Sequence, residues 1–158
     1  PGSAPPQIGM GSGYTTLPQS ATNNSMATAL NITNNFSLVV DPDIYDSTLV
    51  PHTSVSATGN GQGGYYRIDL AAGAILSVDV DGIADPNVFD SWIRLLDSNG
   101  NIVAENDDGG SDPGSTTSRD SSLAYVVQET GTYYILQGSW SSDAPDDGWS
   151  ARLSAGEE

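Results

Sequence analysis

Sixteen aspartates, one histidine and no cysteine define the chemistry open to this chain. Without a thiol there is no disulfide, no thiolate metal site and no cysteine nucleophile. His52 alone does not build an ordinary zinc site. A Ser-His-Asp triad on His52 would need a nucleophile elbow, and no serine has that context. His52 therefore reads as a strand-edge residue hydrogen-bonding its neighbours. Paired carboxylates serve glycosidases, but among twenty acidic residues chance pairs arise everywhere. What remains is the chemistry of hard oxygen donors and a divalent cation.

Three acidic stretches have that composition. The first is Asp41-Pro42-Asp43-Ile44-Tyr45-Asp46. The second comprises Asp79, Asp81, Asp85, Asn87 and Asp90. The third runs from Glu105-Asn106-Asp107-Asp108-Gly109-Gly110-Ser111-Asp112-Pro113-Gly114 to Arg119-Asp120-Ser121. Calcium takes about six to eight oxygens from carboxylates, carbonyls and water. Short aspartate side chains let a turn converge several oxygens, and neighbouring glycines let backbone carbonyls swing in. The third stretch spans about seventeen residues without strand character, and loops of that length in compact domains are usually functional or disordered. No EF-hand is present: Asp97-Ser98-Asn99-Gly100-Asn101 starts like one, but its glycine stands at the fourth position, where the motif needs the sixth. That segment reads as a hairpin turn.

All four cations are arginines. Arg67, Arg94 and Arg119 stand as isolated positive charges in a negative field. Arg119, inside the third acidic stretch, either neutralises its neighbours or clamps a ligand carboxylate in bidentate fashion. Trp140 and Trp149 flank WSSDAPDDGW, where aromatic faces either stack on a ligand or cap a core. Asn23-Asn24-Ser25, Asn31-Ile32-Thr33 and Asn35-Phe36-Ser37 match the glycosylation acceptor pattern, which carries little weight in a chain that otherwise reads as bacterial.

These residues need a scaffold. The 158 residues make about one domain. Four basic against twenty acidic residues give a formal charge of −16, which repels phosphate backbones and anionic lipid surfaces alike. No apolar run approaches the ~20 residues of a membrane span, and the polar opening lacks the basic start of a signal peptide. Residues 1–20, rich in Pro, Gly and Ser, read as a linker or vector-derived segment, and 21–158 as a single calcium-binding domain. Residues 21–31 allow one short helical turn at most. From Phe36 onward apolar and polar residues alternate between turn signals. Strands are expected at 35–40, 64–70, 74–81, 91–97, 101–105, 122–128, 131–138 and 148–154. The period of two is clearest at 74–81, with Leu76, Val78 and Val80 on one face and Ser77, Asp79 and Asp81 on the other. Ser98-Asn99-Gly100 and Glu129-Thr130-Gly131 supply tight turns. Eight short strands without a convincing helix point to an all-β, antiparallel, jelly-roll-type sandwich.

The chain order TLVPHTSVS, GGYYRIDLAAGAILSVDVDG, FDSWIRLLDSNGNIVAENDDG, SSLAYVVQETGTYYILQGS resembles the bacterial pre-peptidase C-terminal domain family. The shared pieces are Tyr65-Tyr66 before Ala72-Gly73, Asp79–Asp81, Leu96 to Asn101, Asn106–Asp108 and Gly131–Tyr134, over about residues 30–153. The resemblance implies a calcium-binding jelly-roll sandwich found beside secreted proteases and collagenases, or within large calcium-dependent bacterial adhesins. It also implies that Asn106–Asp108 and nearby acids are metal-linked. The acidity, the absence of lysine and the expanded 107–121 stretch depart from protease-associated members and make collagen binding doubtful. They fit an adhesin segment from a saline setting.

The expected function is therefore a non-catalytic extracellular binding module that is monomeric when isolated. Calcium would be held by Asp79, Asp81, Asp90, Asn106, Asp107, Asp108, Asp112 and Asp120. Ser91, Arg119 and Ser121 would contact the ligand. An open calcium position would take a carboxylate of a peptide or protein, such as a C-terminus. The alternatives are a calcium-dependent carbohydrate-binding module, since vicinal sugar hydroxyls also complete a calcium shell, and a calcium-stabilised spacer with no ligand.

Overall fold

In the computed structural model the described residues are 14–16, 23–38, 40, 48–49, 51–57, 64–82, 91–106, 121–139 and 147–154. They form ten strands and one short 3-10 turn. The strands are β1 (Tyr14–Thr16), β2 (Leu30–Asn31), β3 (His52–Ala57), β4 (Gly64–Leu70), β5 (Ile75–Gly82), β6 (Ser91–Leu96), β7 (Ile102–Asn106), β8 (Ser121–Val126), β9 (Gly131–Ser139) and β10 (Asp147–Ser154). They make two five-stranded sheets, β1-β3-β10-β5-β8 and β2-β4-β9-β6-β7. The expected all-β sandwich is found, with two short parallel pairs, β1 with β3 and β2 with β4, added to the antiparallel scheme.

The inner faces follow the period of two. Tyr66, Ile68 and Leu70 of β4 are buried, as are Leu76 and Val78 of β5, Ile93 and Leu95 of β6, and Tyr133 and Ile135 of β9. Ile32 and Phe36, from the segment before the first long strand, join the same cluster. Each large side chain fully buried this way contributes about 1.5–3 kcal/mol over an exposed one. Among the described residues the buried apolar side chains thus gather in one core cluster.

Three local differences from expectation have physical causes. Over 35–40 the described residues form no extended strand, only isolated bridges at Phe36 and Ser37, the latter to His52 with bonds of 2.8 and 3.0 Å. The amide of Asn35 is turned back to Ile32 in a tight turn, so the alternation there is not a strand. β3 carries Thr53, Ser54 and Ser56, too few apolar residues to announce itself. Tyr14–Thr16, inside the stretch read as linker, pairs with Ser54–Ser56. The helical turn allowed over 21–31 is Met26–Thr28, closed by a capping box in which Ser25 and Thr28 each accept from the other's backbone N–H.

Candidate functional site

The register gathers the strand ends that anchor the long connections at one end of the sandwich. In the first sheet Gly82, ending β5, lies opposite Asp147, which starts β10 and faces Ala57 at the end of β3. Val80 lies opposite Ser121, the start of β8. In the second sheet Ser139, ending β9, faces Ser91, the start of β6. Ile93 faces Asn106, the end of β7. The two sheets are joined at this end by a side chain: Asn106 Oδ1 accepts the backbone N–H of Ser122 at 3.2 Å. The anchors of the connections 58–63, 83–90, 107–120 and 140–146 therefore share one pole. By sequence these connections hold Asp85, Asp90, Asp107, Asp108, Asp112, Asp120, Asp143 and Asp146.

The opposite pole carries short turns bonded to one another. Gly73 N–H donates to Val127 O at 2.8 Å, Val127 N–H to Ala74 O at 2.8 Å, and Ala72 N–H to Thr130 Oγ1 at 2.9 Å. Gly73 and Gly100 have φ of 91° and 86°, the left-handed region these turns require. Asp97 is the hairpin residue expected: its Oδ1 accepts from Asn99 N and Asn101 N, each at 2.9 Å, and its Oδ2 from Asn101 Nδ2 at 3.2 Å. The backbone N–H of Asn101, foremost among these donors, holds the Asp97 carboxyl below its usual 3.8, against a smaller opposing effect of desolvation.

Of the expected metal residues, Asp79 and Asp81 lie on β5, opposite Ser122 and Gly148 respectively. Ser91 and Ser121 are the first residues of β6 and β8. Asn106 is brought between the sheets. Asp90, Asp107, Asp108, Asp112, Arg119 and Asp120 lie outside the described residues. Among the described residues no three His, Asp or Glu side chains come together as a metal cluster.

Several partnerships were hidden from spacing. Arg94 and Arg67 are not isolated: Arg94 Nε meets Glu105 Oε2 at 3.2 Å, and Arg67 meets Asp69 at 3.5 Å. The Arg94 guanidinium also lies 4.7 Å from the centre of the Trp92 ring. That ring occupies the space a side chain on Gly138 would need. Cross-strand register was the missing signal, since Arg94 sits opposite Glu105 and Trp92 opposite Gly138. His52 is buried at the start of β3, as a structural strand residue. Of the sequon asparagines, Asn23 is buried with Nδ2 donating to Tyr65 O at 3.1 Å, and Asn31 Oδ1 accepts from Thr33 N at 3.0 Å.

Residues 62–136 match the family model for the bacterial pre-peptidase C-terminal domain. That stretch belongs to this family. The pre-peptidase C-terminal segment covers β4 to β9 apart from the last residues of β9, and so contains the 83–90 and 107–120 connections. No curated protein sequence matches the chain. Among solved structures it is similar to Aeromonas hydrophila PliG, a periplasmic inhibitor of g-type lysozyme, at 15% identity, TM-score 0.44, covering 89% of this chain and 96% of that one. It is also similar to the pre-peptidase C-terminal domain of collagenase from Bacillus anthracis, at 13% identity, TM-score 0.45, covering 65% and 87%. A third is the CBM35 from Cellvibrio japonicus Abf62, at 14% identity, TM-score 0.36, covering 63% and 72%.

Proposed function

We propose that this chain is a non-catalytic extracellular binding module of a bacterial surface adhesin, and that calcium held at its acidic pole captures a peptide or protein ligand. The supporting observation is the convergence of the long connections: strand register brings the anchors of 83–90 and 107–120 to one end of the sandwich. The donor set is one of hard oxygens, with no thiolate and with the lone histidine buried in β3, and it suits calcium over zinc. Asp90, Asp107, Asp108, Asp112 and Asp120 supply carboxylates, with Asp79, Asp81 and Asn106 at the adjoining strand ends. An ion with an open position takes a ligand carboxylate, and Arg119, Ser91 and Ser121 flank it. In this reading the cation overcomes the repulsion that a −16 chain would exert on an acidic partner.

Thermal melting with calcium and with chelator tests this. Calcium at a hundred times its Kd adds about 2.7 kcal/mol to the native state. In a domain of this size that raises the melting temperature by ~5–10 °C. Asp107→Ala and Asp108→Ala each remove part of that rise. Coincident curves in calcium and chelator would overturn the metal site. Peptide-library and glycan-array binding in both conditions then fixes the ligand class: calcium-dependent peptide capture supports the proposal, and glycan capture alone or silence on both contradicts it.

A further inference from the structure

The turn between β6 and β7 holds the one asparagine–glycine pair among the described residues, Asn99-Gly100. In such a pair the backbone nitrogen of the glycine can attack Cγ of the asparagine, because no Cβ on the glycine crowds the approach. The N–Cγ bond forms and the Cγ–Nδ2 bond breaks. Ammonia leaves, carrying the proton that the glycine nitrogen gave up, and a cyclic imide remains. Water then opens the ring at either carbonyl. Opening at Cγ gives aspartate. Opening at the backbone carbonyl gives isoaspartate, whose main chain runs through Cβ and Cγ and is one carbon longer.

The turn sets Asn99 apart from its neighbour and at the same time restrains it. Asn99 is exposed and followed by glycine. Asn101 differs on both counts: its Nδ2 donates to Asp97 Oδ2 at 3.2 Å, and the branched Cβ of Ile102 follows it. The loop closes through Asp97 N–H to Asn101 O at 2.9 Å, with Gly100 at a φ of 86°, as in a three-residue hairpin loop that ends on a left-handed glycine. Asp97 grips the chain on both sides of the Asn99 side chain. Its Oδ1 accepts Asn99 N–H at 2.9 Å, and its backbone oxygen accepts Gly100 N–H at 3.0 Å. The attack consumes the Gly100 N–H proton, so it must first give up that second bond.

We propose that Asn99 is a self-modification site, converted to aspartate or isoaspartate only when this turn opens, and that Asp97 sets how often it does. Local openings of this kind have their own free energy, separate from global unfolding. Once ammonia is lost the change does not reverse. Isoaspartate lengthens a loop whose span is already fixed by three bonds to Asp97, and so loosens the hairpin across which Arg94 meets Glu105.

The test ages the full chain in warm, mildly alkaline buffer, both folded and in urea. The peptide holding Asn99 is followed by mass and by chromatographic retention, which together separate asparagine, aspartate and isoaspartate. Asn60-Gly61, the second such pair in the sequence and outside the described residues, shows in urea that the chemistry runs. Asn99 is expected to convert about tenfold or more slowly in the folded parent than in urea, and Asp97→Ala to recover most of that factor, worth ~1.4 kcal/mol of local opening. Equal rates folded and in urea overturn the proposal, as does an Asn99 that stays intact in urea while Asn60 converts. A folded Asp97→Ala that converts no faster than the parent overturns it too. Should Asp97→Ala not fold, amide exchange in the parent decides. Protection of Gly100 N–H that matches the slowing of conversion supports one shared opening. Free exchange of Gly100 N–H beside slow conversion means that something other than this turn restrains Asn99, and the proposal fails.

Discussion

Asp97 shows how much one side chain settles. Its two oxygens accept three bonds from Asn99 and Asn101 and set the turn between β6 and β7. Because those donors favour the ionised carboxylate, its folded pKa lies below the usual 3.8. A depressed carboxyl pKa contributes stability above the unfolded value and loses it as pH falls through the folded one. Asp97→Ala should therefore lower the melting temperature at neutral pH and flatten its decline below about pH 4. Melting curves from pH 7 down to about 2 check this, and parallel acid limbs in parent and variant would contradict it. The fourth-position glycine in the sequence already separated this turn from a calcium loop. The Arg94–Trp92 stack was not legible in the same way, because it depends on which residue of β9 leaves room for the ring. Gly138 does so, and nothing in its local sequence says that it faces Trp92.

Strands were readable to the extent that one face of each is apolar. β4, β5, β6 and β9 alternate cleanly and were legible to within a residue or so. β3 was not, since its backbone pairs with β1 and β10 while half of its sequence is Ser and Thr. Pairing energy without apolar patterning leaves no trace in periodicity. The segment 35–40 is the converse case: it has the pattern, and its described residues make isolated bridges in place of a strand. Alternating strands place Ile135 and Leu95 opposite one another at the centre of the second sheet, both fully buried. Ile135→Ala is expected to cost about 2–5 kcal/mol, as cavity-forming truncations do. An exposed truncation, Ile102→Ala on β7, should cost well under about 1 kcal/mol. Denaturant midpoints at unchanged slope check both.

At the scale of the whole molecule the two ends of the sandwich differ in kind. One carries short turns bonded to each other. The other carries the strand ends that anchor the acidic connections. The acidic composition of those connections was legible, but the gathering of their strand anchors at one end was a matter of strand order and register, which no local pattern encodes. Chain-wide repulsion follows from the same imbalance of charge. In chelator, raising monovalent salt from about 0.02 to 0.5 M should therefore raise the melting temperature, with most of the gain below about 0.15 M where screening changes fastest. A salt-independent curve in chelator would mean that the carboxylates stand too far apart to repel.

The position of β10 has a consequence for how the fold is reached. It is the tenth strand in chain order, yet it stands third in its sheet, with β1 and β3 on one side and β5 and β8 on the other. Those two halves are joined within the sheet only through it. Assembly of this layer must wait for a distant segment to wedge between neighbours that were threaded much earlier, as the middle stave of a cask is driven in last. Closing so long a span carries an entropic cost that is recovered only when both seams zip together. The sheet should therefore form late and in a single step, and a chain cut before Asp147 would leave two loose halves where the finished molecule has one wall.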